Sequence, residues 1–272
     1  MKFATILPFI SAVSASCLHG TSLMPRAADG TVDINSFNYT GLGGPLNWYG
    51  LDKSANSACA SGKHQSPINI ETDNISYASA SSVHFHVPKV DSAKFENLGS
   101  GLEVVLTNGT LLAGNTSYTL AQFHFHTPSE HRINEEHYPM EVHFVFESAA
   151  SQIAVVGFVF ELSQFGYSTP LFDSVFAHLD DIATPGTYTM TDALDFSGLT
   201  QHLNSHGIYQ YTGSLTTPPC SENVAWFLST EPIVVNVQSY NAVKHVLKFN
   251  ARYTQNSLGQ ANLLEVAASN FN

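Results

Sequence analysis

Charge is what this chain has least of. Only 12% of its 272 residues are charged, ten are Lys or Arg, and the formal net charge is −12. Phosphate recognition needs clustered Lys and Arg, so the balance argues against nucleic acid or an anionic membrane as partner. Long hydrophobic runs are also missing. The apolar stretch Phe3–Ala15 is too short to span a bilayer and is interrupted by Pro8. The C-terminal residues Glu265 to Asn272 carry no hydrophobic tail, so no lipid-exchanged membrane anchor is expected. There is no His-Glu-x-x-His, which excludes the common metalloprotease arrangement. Cysteine is scarce, at Cys17, Cys59 and Cys220.

The start of the chain reads as an export signal over residues 1–16. Lys2 supplies the positive start, and Val13-Ser14-Ala15 supplies small residues for cleavage. A buried N-terminal helix is the alternative reading. Export implies a secreted, extracellular protein and an oxidising compartment. Cys17 lies beside the cleavage point, which leaves Cys59 and Cys220 as a disulfide pair or as two buried thiols. Closing so long a loop would stabilise the fold by roughly 4–5 kcal/mol in the chain-entropy treatment. Asn38, Asn74, Asn108 and Asn115 open Asn-x-Ser/Thr triplets and are glycosylation candidates in a host that glycosylates.

Hydrophobic residues make up 43% of the chain, enough for one large core. Eighteen Phe and eleven Tyr with so little charge favour a β-rich interior. Residues 17–36 lack any period and read as a mobile arm or a processed segment. No linker or composition break follows residue 37, so residues 37–272 read as one domain. Leu102–Leu106 and Ser117–Leu120 flank turn signals at Asn108-Gly109 and Gly114-Asn115. The run 153–160 is a buried strand, and 170–179 has helical spacing with Pro170 at its start. Residues 182–206 are polar and turn-rich. Strands are expected over 223–230 and 232–235, and a short amphipathic helix over 239–249 with Ser239 as its cap.

The chemistry gathers in Gln122-Phe-His-Phe-His126 and Glu141-Val-His143-Phe-Val145. In a strand, residues two apart share a face, so His124 and His126 point the same way. His143 follows in a second strand-like run, after a return long enough to bring that run alongside the first. Three imidazoles from adjacent strands leave one tetrahedral position of a zinc ion open, the arrangement of a catalytic site. His84 and His86 have the same spacing but no third imidazole with an acidic neighbour, and read as an ordinary alternating strand.

Taken in order, these runs with Ser129-Glu130-His131, Gly213-Ser-Leu215-Thr216-Thr217-Pro-Pro219, Gln65-Ser-Pro-Ile-Asn-Ile70 and Asn250-x-Arg252-x-x-Gln255 resemble the alpha-class carbonic anhydrases, over roughly residues 37–265. The resemblance implies a mainly β single domain, built on a large, twisted, mostly antiparallel central sheet with short surface helices. It implies Zn²⁺ as cofactor, with His124, His126 and His143 as ligands, and attack of zinc-bound hydroxide on CO2 to give bicarbonate. Gln122, Glu141 and the backbone carbonyl of Asn250 match positions that hold the ligand imidazoles. For Gln122 alone, an edge-strand amide is the alternative. Thr216 and Glu130 match the pair that orients the hydroxide. Thr217 matches a bicarbonate-site position, and Val145, Val155, Leu215, Val224 and Trp226 match the apolar wall.

By resemblance, sulfonamides and anions are expected inhibitors, and the Cys59–Cys220 pairing is typical of the secreted and bacterial branches. A homodimer is left open. A non-catalytic relative that only binds ligands, and a different zinc hydrolase, are the rival readings. One departure stands out. After Asn97-Leu98-Gly99 the fastest animal members carry a proton-shuttling histidine, and this chain carries Ser100. Serine cannot titrate near pH 7. His84, His86 and His137 are the remaining candidates for that task.

Overall fold

Strands buried on both faces must be apolar or internally satisfied throughout, and the runs around His124, His143 and Val155 have that character. A computed structural model describes Leu18, Thr21 and residues 32–271. The expected export signal and Cys17 lie outside the described residues. Twelve strands form one twisted sheet. From edge to edge its main path runs Tyr188–Met190, Lys94–Asn97, Leu102–Val105, Thr116–His126, Met140–Ser148, Ile153–Leu162, Glu222–Ser229, Ile208–Ser214 and Ser76–Ala78. Val83–His86 and Thr110–Ala113 extend it beside Thr116–His126, and Ile233–Val235 joins Ile153–Leu162. Pairing is antiparallel except where Ile153–Leu162 meets Glu222–Ser229 and Ile233–Val235. The helices are short, and none of the described ones is long and apolar enough to cross a membrane.

The two faces of the sheet have different tasks. Phe123, Phe125, Val142, Phe144, Phe146 and Phe158 point into the larger apolar core. The Phe123 and Phe144 rings stack at 4.8 Å. The alternate positions on the same strands, Gln122, His124, His126, Glu141, His143 and Val145, point the other way, and all are buried. The period of two therefore separates greasy filling from polar machinery on one pair of strands.

The Cys59–Cys220 disulfide is formed, with a sequence separation of 161 residues. Its cysteines pack with Phe37, Tyr39 and Trp48 in a small apolar cluster. Replacing both cysteines by serine is expected to cost about 5 kcal/mol in the chain-entropy treatment. A lowering of Tm by roughly 10–20 °C in a thermal melt is the corresponding readout.

Several local expectations need correction. Asn108-Gly109 closes no hairpin: the strands before and after it both pair with Thr116–His126, not with each other. The hairpin turn is Gly114-Asn115, where Ala113 pairs with Thr116 and Gly114 takes φ of +58°. The stretch 182–206 contains the strand Tyr188–Met190 and the helix Ser197–Ser205, whose buried Leu199 and Leu203 dock on the core. The later helix spans Val237–Leu247. Its cap is Asn236, whose side-chain oxygen accepts the Ser239 N–H at 2.8 Å, so Ser239 is the third helical residue. A further helix, Leu263–Ser269, follows.

Candidate metal centre

The register brings the three imidazoles together. His143 lies directly opposite His124 across the antiparallel pair, and Glu141 lies opposite His126. One ring nitrogen from each of His124, His126 and His143 falls in a cluster whose atoms are within 4.8 Å of one another. The opposite ring nitrogen of each faces an oxygen that accepts its proton. His124 Nδ1 donates to Gln122 Oε1 at 2.8 Å, His126 Nδ1 to the Asn250 carbonyl at 2.8 Å, and His143 Nε2 to Glu141 Oε1 at 2.8 Å. These bonds fix the tautomers, so Nε2, Nε2 and Nδ1 respectively present lone pairs to the common centre.

That geometry passes a test for a cation. His126 Nε2 and His143 Nδ1 are buried without a hydrogen-bond partner. Buried polar atoms are rarely left so unless an ion or water is missing. Burial pushes the basicity of all three imidazoles down, with their mutual repulsion adding for His124 and His126; His126 falls to about 3. Three neutral imidazoles with converging lone pairs fit Zn²⁺.

Glu141 organises the surroundings. Burial alone would raise its pKa, but His131 and His143 hold the carboxyl well below the usual range. Its Oε2 accepts the backbone N–H groups of Glu130 and His131, each at 2.9 Å, and its Oε1 accepts from His131 Nδ1 at 2.7 Å and from His143. His131, Glu141 and His143 are also near enough to share a cation. Glu141 is already satisfied by four donors, so this trio supports the first site and is not a second one. Glu141→Gln would set an amide N–H against some of those donors. The expected result is about 10–100-fold weaker zinc binding, measured by competition with a chromogenic chelator.

Glu130 sits beneath the imidazoles, with Oε2 3.4 Å from His126 Nε2. Its pKa is raised well above the ordinary value by burial, against the hydrogen bonds from Thr216 and the Arg252 N–H that lower it. Arg252 N donates to Glu130 Oε1 at 2.9 Å. The segment 250–252 thus secures both a ligand imidazole and the carboxyl below it. Asn250 is itself fixed: its amide accepts from Thr127 N and donates to the Phe125 carbonyl, both at 2.8 Å.

The apolar side is continuous. Val145 is opposite Val155, and Val155 is in register with Trp226. Leu215 and Val224 complete the same cluster. Trp226 also donates to the Ser214 carbonyl at 3.0 Å and presents its ring to His143 at 4.8 Å. Thr217 is buried, and its carbonyl accepts the Cys220 N–H at 2.8 Å, which ties the Thr216 loop to the disulfide.

Sequence reasoning missed a polar chain behind the site. His131 Nε2 bonds the Tyr211 hydroxyl at 2.7 Å, and that hydroxyl bonds Ser66 Oγ at 2.8 Å. A Cβ on Gly213 would strike Ser66 Oγ and the Tyr211 ring, so the glycine of Gly213-Ser214 is explained by this chain. His84 and His86 are exposed on Val83–His86, whose Phe85 packs on Phe144. His137 uses both ring nitrogens, donating to the Ser129 carbonyl at 2.8 Å and accepting from Arg132 at 3.0 Å. Asn38, Asn74, Asn108 and Asn115 are all exposed.

The class defined here is a β protein whose large twisted sheet carries a buried cluster of three imidazoles able to hold a metal ion, with an apolar wall beside it. Residues 43–263 match the family model described as eukaryotic-type carbonic anhydrase, and the chain belongs to that family, a family of enzymes. It is similar to the alpha carbonic anhydrase of Aspergillus oryzae, at 66% identity and a TM-score of 0.84 over 86% of this chain and 99% of that one. It also resembles the Thermovibrio ammonificans alpha carbonic anhydrase solved in complex with the inhibitor sulfanilamide, at 32% identity and a TM-score of 0.72 over 81% and 95% of the two chains. The carbonic anhydrase of Pectobacterium atrosepticum is 32% identical over 79% of this chain and 84% of its own length.

Proposed function

We propose that this chain is an exported, zinc-dependent enzyme that interconverts CO2 and bicarbonate. In this reading a leader of residues 1–16 and an arm of 17–36 precede a catalytic domain of 37–272. The observation that carries the proposal is the set of three converging imidazole lone pairs, each fixed from behind by an acceptor. Zinc held there supplies Lewis acidity that makes water nucleophilic near neutral pH, its pKa falling to about 7.

The chain's own groups do the rest. The Thr216 hydroxyl donates to the Glu130 carboxylate, so its lone pairs are left to accept a proton from the nucleophile. That bond orients the attacking oxygen, and it disfavours ligands that have no proton to donate. CO2 offers few polar handles, so Val145, Val155, Leu215, Val224 and Trp226 position it by shape and dryness, with Thr217 facing the bicarbonate that forms. Aromatic sulfonamides and small anions are inhibitors in this reading.

The decisive measurement is CO2 hydration by zinc-loaded protein, with and without a chelator and an aromatic sulfonamide. Fast hydration abolished by both is expected; none from metal-loaded protein would sink the proposal. Proton export is the slow step, because Ser100 cannot titrate near neutrality and His137 has both ring nitrogens engaged. Turnover at pH 8 is therefore expected to climb with buffer concentration, and a flat response under stopped flow would remove that assignment.

A further inference from the structure

Imidazole rings also meet at a place away from the central cluster. His202 lies on helix Ser197–Ser205, and His206 is the residue that caps its C-terminus. Side chains four apart share a helix face. These two follow that rule, with ring centroids 4.4 Å apart and planes at 47°.

Each ring is held from behind, as the three central imidazoles are. His202 Nε2 donates to the Glu231 carbonyl at 2.9 Å, and His206 Nδ1 donates to the His202 carbonyl at 2.8 Å. Those bonds leave the lone pairs on His202 Nδ1 and His206 Nε2. The Glu231 carbonyl is itself fixed, because Ser229 Oγ donates to it at 3.0 Å. Thr230 N donates to the Gly207 carbonyl at 3.0 Å, which ties the residue after His206 to the same turn. A carbonyl behind each ring sets its tautomer and direction before any ion arrives, the support that metal-binding histidines use. Both residues are partly buried. Burial lowers the pKa of His202 and the charge of His206 adds to this, against the Glu231 carbonyl and carboxylate, which raise it. The His202 ring lies 6.1 Å from that of Phe158, which belongs to the larger apolar core. The pair is therefore on the opposite side of the sheet from His124, His126 and His143.

We propose that His202 and His206 form a second metal site, which takes a divalent late-transition ion, Cu²⁺ most tightly, with water in the remaining positions. Imidazole suits copper, nickel and zinc, and Cu²⁺ heads that series. Two histidines four apart on a helix are a known chelating arrangement. A metal–imidazole bond is about 2.0–2.1 Å, so one ion joins nitrogens up to about 4 Å apart, a span that neighbouring rings meet by small rotations. The net charge of −12 favours capture of a cation. An ion bridging residues 202 and 206 also staples the last turn of a helix that only Leu199 and Leu203 bury against the core.

The test uses zinc-loaded protein without an affinity tag, titrated with Cu²⁺ and followed by electron paramagnetic resonance. One further equivalent of bound metal is expected, with hyperfine structure from nitrogen ligands. Its affinity should fall by at least about tenfold in His206→Ala and in His202→Gln. Glutamine keeps a donor for the Glu231 carbonyl and removes the ligand nitrogen. His206→Ala alters only the helix end, so it carries the test if His202→Gln folds poorly. The double variant His84→Ala, His86→Ala removes the exposed pair on Val83–His86 and should leave binding unchanged. No further equivalent in the parent, or one that survives both variants of the pair, would overturn the site. So would copper lost with His84 and His86 instead, or copper taken up only as zinc is released from the central position.

Discussion

Replacing His126 by alanine is expected to abolish stoichiometric zinc binding and to lower CO2 hydration by more than about 10³-fold, because a water that keeps its ordinary, far higher pKa supplies almost no hydroxide at neutral pH. The substitution removes one of three converging lone pairs and leaves Asn250's carbonyl without the imidazole it accepts from. It does not touch the Phe123–Phe144 side of the sheet, so the fold should persist. That separates the effect from unfolding. In the parent protein, zinc at about a thousand times its Kd should stabilise the native state by about 4 kcal/mol, a shift readable in a thermal melt. In His126→Ala both the metal stoichiometry and the zinc-induced shift should vanish together. Retention of the shift with loss of hydration would place the metal elsewhere.

The metal centre was legible because it is built from a strand's period of two. His124 and His126 had to share a face, and the alternation Phe123/Phe125 named the opposite face as core. What the period could not supply was register. That His143 falls opposite His124, and Glu141 opposite His126, depends on how the intervening loop returns. The loop does so through a hairpin at Asn134-Glu135, both at positive φ, 48° and 72°. Glu and Asn are not a strong turn signal, so this element left little trace in the sequence.

Contacts between distant stretches of the chain were the other blind spot. Arg252 was visible only as part of a motif, and its backbone N–H is what donates to Glu130 Oε1. The chain from Glu141 through His131 and Tyr211 to Ser66 draws on four separate stretches of sequence, and no local pattern joins them. Helix Ser197–Ser205 escaped notice because only Leu199 and Leu203 on it are buried, and packing rather than propensity holds it. For helix Val237–Leu247, two polar residues three apart, Asn236 and Ser239, both suit a cap. The structure chooses Asn236 because its amide oxygen reaches the Ser239 N–H and its Nδ2 donates to Ser168 Oγ at 2.7 Å.

Thr216→Val carries the second large expectation, a loss of about 10²-fold in kcat/KM with zinc fully retained. Valine keeps the shape of threonine and removes only the hydroxyl. Three consequences follow from the positions of its neighbours. Glu130 loses one of the two hydrogen bonds that oppose the effect of burial, so its carboxyl, already raised, is driven further toward the neutral form. The nucleophile loses the acceptor that directs it, which lowers the rate through orientation rather than through metal affinity. The filter against ligands without a proton also disappears, so small anions should bind more tightly than in the parent, the reverse of what general damage to the site would produce. Stability should fall by only about 1–3 kcal/mol, the cost of a buried acceptor left with fewer donors, since Arg252 N still serves Glu130 Oε1. Anion inhibition constants measured beside kcat/KM therefore decide the matter. Slower hydration with weaker anion binding would mean that Thr216 shapes the loop, whereas slower hydration with tighter anion binding would mean that its hydroxyl selects the nucleophile.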